Sequence, residues 1–77
     1  MNKERRKELE EIHETLGNLI LQVEELHDAE EEAFSNLPES LQETERGAAM
    51  ETAMDMLENL QNFLEDAADC CEEITNG

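Results

Sequence analysis

Seventy-seven residues with 38% hydrophobic and 3% aromatic content make at most one small domain with little to bury. A net charge of −17 argues against direct nucleic-acid binding, since every phosphate would repel the chain, and favours basic protein surfaces as partners. The charge is uneven: setting aside Lys3, Arg5, Arg6 and Lys7 against Glu4 leaves −20 on residues 8–77.

The first seven residues are basic, yet no apolar run exceeds the three residues of "LIL" at 19–21. The expectation is a cytoplasmic chain with neither signal peptide nor membrane span. The first element is then a long amphipathic helix over about residues 3–34. Leu9, Ile12, Leu16, Leu19, Val23, Leu26 and Ala33 recur at alternating intervals of three and four, a heptad seam interrupted only by Glu30. Beside it runs a second column, His13, Ile20, His27 and Phe34. Gly17 costs this helix about 1 kcal/mol, which its length tolerates.

The corner falls at residues 35–43, within "NLPESLQETERG". Pro38 cannot continue the first helix, and Asn36 followed three residues later by Glu39 reads as a capping box opening a short helical turn. Leu37 and Leu41 are the apolar residues available to close the bottom of a core. Gly47 follows where the chain must straighten into a second helix, over about residues 44–75. That helix has its own seam, Met50, Ala53, Leu57, Leu60, Leu64, Ala67, Cys71 and Ile74, and an extra column, Ala49, Met56, Phe63 and Cys70. Either column can serve as the flank, so the register stays open. Met54 falls on neither and reads as an adaptable exposed contact.

Two long helices joined by a short corner predict an all-α fold, an antiparallel coiled-coil-like helical hairpin forming a single domain over residues 1–77. Lys3, Arg5, Arg6 and Lys7 at one helix N-terminus, and Asp66, Asp69, Glu72 and Glu73 at the other C-terminus, each oppose their own helix dipole. The hairpin is expected to lay them side by side. Three apolar columns per helix further predict a homodimer forming a four-helix bundle, with Ile20, His27, Phe34, Met50, Met56, Leu57, Phe63 and Leu64 at the dimer interface.

Chemistry is sparse. Glu10-x-x-His13 and Glu24-x-x-His27 match the spacing of di-iron bundles, but the histidines lie fourteen residues apart, about 21 Å along one helix, and cannot share an ion. No metal and no cofactor is expected. Cys70 and Cys71 are helix neighbours pointing about 100° apart, so they read as reduced, small buried hydrophobes and not as a disulfide. There is no triad, phosphate loop or glycine fingerprint, and so thin a hairpin offers little concavity. No catalytic residue is expected, and the chain reads as a non-enzyme.

The acid remains. Residues 24–58 hold Glu24, Glu25, Asp28, Glu30, Glu31, Glu32, Glu39, Glu43, Glu45, Glu51, Asp55 and Glu58 against Arg46 alone. These twelve are the expected partner-binding residues, centred on the corner. The plainer alternative is a solvated face that keeps the protein soluble. The sharper one is a nucleic-acid mimic whose carboxylates stand in for phosphates in a basic groove, and it rests on density: twenty excess negatives over a helix of about 45 Å give one per ~2 Å, near the ~1.7 Å of duplex DNA.

The segments "NKERRKELEEI" and "NLPESLQETERGAAMETAMDMLENL" resemble a family of small acidic phage and prophage proteins, mostly without assigned function. Asn36, Pro38, Glu39, Glu45 and Arg46 carry the resemblance. It implies a phage origin and, by analogy with small acidic phage proteins, a non-enzymatic inhibitor of a host defence or nucleic-acid-handling protein, of the anti-CRISPR or anti-restriction type, acting in the host cytoplasm. The competing expectation is a structural or regulatory helical oligomerisation module.

Overall fold

In the computed structural model, which describes residues 1–77, the chain is an all-α hairpin: α1 spans Lys3–Ser35, α2 spans Glu39–Gln42 and α3 spans Glu45–Asn76. The two long helices pack against each other along a rod 58 Å in length and 14 × 13 Å across. Neither is apolar enough to cross a membrane.

Side-chain burial sets the register. On α1 the inward residues are Leu9, His13, Leu16, Ile20, Val23, His27, Glu30 and Phe34, and on α3 they are Gly47, Met50, Met54, Leu57, Gln61, Leu64, Ala68, Cys71 and Thr75, with Glu24 and the expected Ala53 and Ala67 half-buried at the margins. Both series step by three and four, so they are the a and d positions of the seam. This corrects the expected seam in a specific way. His13, Ile20, His27 and Phe34 are half of the interface and not a flank, whereas Ile12, Leu19 and Leu26 are exposed. Met54 lies half-buried in the seam instead of outside it, while Leu60 and Ile74 lie outside instead of in it.

The physical reason is polar pairing across the seam. His13 Nε2 lies 3.1 Å from a Glu72 carboxylate oxygen, His27 Nε2 lies 3.1 Å from Glu58, and the Gln61 amide donates to Glu24 at 2.9 Å. Half-buried imidazoles and an amide need such partners, and this register supplies them. In each pair the residue numbers add to 85, so the helices run antiparallel without a slip. The same rule sets Asn76 beside Leu9, and the first turn and a half of α1 therefore projects past the end of α3. Lys3, Arg5, Arg6 and Lys7 sit on that overhang. No Lys or Arg lies within 4.0 Å of a carboxylate, and the expected neutralisation of Asp66, Asp69, Glu72 and Glu73 by direct ion pairs is absent.

The corner is held by backbone chemistry. Asn2 caps α1 at its start, its side-chain oxygen accepting from the Arg5 amide at 2.8 Å. At the other end Asn36 is the C-cap of α1, its amide donating to the Glu32 carbonyl at 3.0 Å. Asn36 therefore does not open the next helix as expected. Pro38 holds that position, and no side chain caps α2. The amide of Gln42 instead reaches back, donating to the Phe34 and Leu37 carbonyls at 3.2 and 3.0 Å, and so ties α2 to the end of α1 and the loop beyond it. Thr44, the N-cap of α3, turns its hydroxyl to the Leu41 carbonyl and leaves the α3 amides without a side-chain cap. Leu37 is half-buried beneath the corner, but Leu41 is exposed and closes nothing.

Gly47 fixes how tightly α3 can start. It is buried and helical, with no positive φ, so its role is proximity and not an unusual turn. A Cβ at this position would stand 2.0 Å from the Gln42 carbonyl oxygen and 2.7 Å from its Cα. Only glycine lets the first turn of α3 lie on the backbone of α2.

Candidate partner-binding surface

The three cross-seam hydrogen bonds all lie on one side of the hairpin, because Glu24 on α1 and Glu58 and Glu72 on α3 flank the seam at equivalent e positions. Following the helical periodicity outward from them collects an acidic flank. α1 contributes Glu10, Glu14, Glu24, Asp28 and Glu31, and α3 contributes Glu51, Asp55, Glu58, Glu65, Asp69 and Glu72, eleven carboxylates in all. The opposite flank, built from the g and c positions of both helices between residues 8 and 76, holds one, Glu8. The hairpin is two-faced.

A shallow groove on the acidic flank is lined by His27, Glu31, Glu51, Met54, Asp55 and Glu58. A second, toward the termini, is lined by Glu10, His13, Cys71, Glu72, Thr75 and Asn76. Each groove is floored by one seam histidine whose ring is held against a carboxylate of α3. His27 is the more enclosed, and its Nδ1 also lies 3.7 Å from Asp28 and 3.8 Å from Glu31. These three residues offer ligand atoms within 4.8 Å of one another. They are joined by no buried donor, and the two carboxylates are solvent-facing members of the flank. In the second Glu-x-x-His pair, Glu24 is engaged by Gln61 and His27 by Glu58.

The expected partner-binding residues fall in four places. Glu24, Asp28, Glu31, Glu51, Asp55 and Glu58 lie on the flank, Glu25 and Glu32 on the back of α1, and Glu39, Glu43 and Glu45 around the corner. Glu30 is half-buried within the seam. Five further flank carboxylates, Glu10, Glu14, Glu65, Asp69 and Glu72, were outside the expected set. Their signal was present: Glu51, Glu58, Glu65 and Glu72 recur every seven residues, which places one column along a helix.

Of the residues expected at a dimer interface, Ile20, His27, Phe34, Met50, Leu57 and Leu64 lie between α1 and α3 of one chain, while Met56 and Phe63 are exposed. Cys71 is buried as expected, whereas Cys70 is exposed, and both are free thiols.

The charge density can now be measured on a defined surface. The flank on α1 runs from Glu10 to Glu31, about 32 Å at ~1.5 Å per residue. With α3 the row extends to Glu51, opposite Phe34, so eleven carboxylates span about 36 Å and give one per ~3.3 Å, close to the ~3.4 Å phosphate spacing of a single strand and not the ~1.7 Å of both strands of a duplex. No known protein family, curated protein or solved structure matches the chain.

Proposed function

We propose that this protein is a non-enzymatic inhibitor that occupies the nucleic-acid groove of a basic host protein, with the acidic flank standing in for one phosphate backbone. What supports this is the separation of charge around the rod: eleven carboxylates on one flank against one on the other. Paired helices fix the backbone that carries the carboxylates, so little backbone freedom is lost when a partner binds. Steering toward a basic groove is fast and falls steeply with ionic strength. The resemblance to small phage proteins supports a phage-encoded inhibitor of a defence nuclease, of the anti-restriction or anti-CRISPR type, acting in the host cytoplasm.

The test is competition. A partner recovered from a bacterial lysate is challenged with labelled DNA or RNA at increasing salt. The triple variant Asp28→Lys, Asp55→Lys, Asp69→Lys reverses three flank charges that make no cross-helix hydrogen bond. Its control, Glu11→Lys, Glu25→Lys, Glu73→Lys, makes the same change in charge on the back of the rod. Loss of competition in the first variant alone supports the groove proposal, and equal loss in both reduces it to net charge. A partner that binds nucleic acid and inhibitor together overturns it.

A second reading, a helical module whose business is assembly, is favoured by one observation. Seven large apolar side chains stand exposed on the flank opposite the acid.

A further inference from the structure

The hairpin keeps its more polar column inside and leaves its more apolar column outside. Ile12, Leu19 and Leu26 on α1 line up with Leu60 and Ile74 on α3, and Met56 and Phe63 widen the stripe. A shallow groove within it is lined by Ala53, Met56, Leu57, Asn59, Leu60 and Phe63. Phe63 is 70% exposed and Leu26 59%. At ~150–250 Å² for a large side chain, the exposed parts of these seven amount to on the order of 700 Å². Monomers rarely carry so large an apolar patch, and a standard stable interface takes about 800 Å² from each partner. Within the chain, only Val23 and Cys71 are buried hydrophobic residues, too few for a hairpin of this size to stand alone.

We infer that the stripe is covered by a second copy of this chain, the two hairpins lying head to tail about a two-fold axis perpendicular to the rod. Self-association fits the stripe because its length, width and lack of charge match those of an identical stripe turned over. The ends decide the direction. The overhang carries Lys3, Arg5, Arg6 and Lys7, and the corner carries Glu39, Glu43 and Glu45. In the head-to-tail pair each basic overhang lies over the acidic corner of the other copy, whereas a parallel pair sets like charge against like. The acidic flanks face outward on opposite sides, so the four-helix bundle presents two of them. The dimer stands independently of what the acidic flank binds.

Sedimentation equilibrium and far-ultraviolet circular dichroism test this on the full chain. The wild type is expected at twice 8.8 kDa, dissociating only on dilution. Leu26→Glu breaks the stripe, and Leu21→Glu, at an equally exposed leucine (58%) on the other side of α1, is its control. Leu26→Glu should weaken the dimer by roughly 100-fold or more, because a symmetric interface loses the side chain twice. Loss of both mass and helicity in Leu26→Glu, with Leu21→Glu intact, supports the dimer equally, as a hairpin that folds only when paired. A wild-type mass of 8.8 kDa at every concentration, a mass above two copies, or equal effects of the two variants overturns it. Direction is read from Arg5→Glu, which continues the Ile12, Leu19 and Leu26 column onto the overhang and should weaken the dimer several-fold, with rescue by Glu39→Lys and Glu43→Lys. No rescue means the copies are not head to tail.

Discussion

Two glycines in long helices should respond to the same substitution with opposite sign. A Cβ at Gly17 meets nothing within 4 Å, so Gly17→Ala adds helix propensity and removes unfolded-state freedom, a gain of about 1 kcal/mol. At Gly47 the new Cβ would stand 2.0 Å from the Gln42 oxygen and 2.5 Å from its carbonyl carbon, where ordinary contacts begin at 3.4 Å. The obstacle is backbone, so α2 and the start of α3 must separate by more than about 1 Å, and overpacking of this kind costs about 1–3 kcal/mol or more. A backbone clash this deep belongs at the top of that range, about 3 kcal/mol, and offset by the propensity gain of about 1 kcal/mol the net loss is about 2 kcal/mol. For a domain this size each kcal/mol moves the melting temperature by ~4–8 °C, so Gly17→Ala should rise by about that much and Gly47→Ala fall by roughly 8–16 °C. The assay is thermal unfolding followed by circular dichroism at one fixed protein concentration, since association would otherwise shift both curves. A Gly47→Ala protein as stable as the wild type would refute the close approach of α3 to α2.

Gln42→Ala removes both donors to the Phe34 and Leu37 carbonyls and should destabilise the hairpin by about 1–2 kcal/mol in urea, while Gln42→Glu, which lacks those donors but keeps the shape, should do no better. A double-mutant cycle on His27 and Glu58 should return a coupling of about 0.5–1 kcal/mol, and zero coupling would place the pair outside the seam. With a thiol reagent under native conditions, Cys70 should react well before Cys71, which should become reactive only as the protein unfolds. Equal rates would mean that the last turns of α3 are not packed on α1.

The two helices and the corner between them were legible because their signals are local. Pro38 stops α1, and the three-four spacing of leucines survives for more than three heptads in each helix. The register was not legible, for a physical reason. Ile12, Leu19 and Leu26 form one apolar column and His13, Ile20 and His27 the next, one residue apart. The choice between them rests on partners far away in sequence, Glu72 for His13 and Glu58 for His27. Hydrophobicity alone favours the first column, but hydrogen bonding to half-buried imidazoles selects the second. The acidic flank is only partly legible, because the density of carboxylates along the chain does not tell which face of a helix each one takes. Around the helix, the seven-residue recurrence from Glu51 to Glu72 is what counts. Gly47 gave no hint of its close approach, which exists only once α2 has been placed.

Because the chain reverses once, Met1 and Gly77 emerge at the same end of the rod and the α2 corner forms its far tip. A dye, bead or carrier joined to either terminus therefore sits up to 58 Å from that tip and leaves both long sides open. Molecules grafted to a surface by one terminus would all stand with the same polarity, corner outermost. Distance measurements from such a tether could locate a bound partner along the rod before any complex is crystallised.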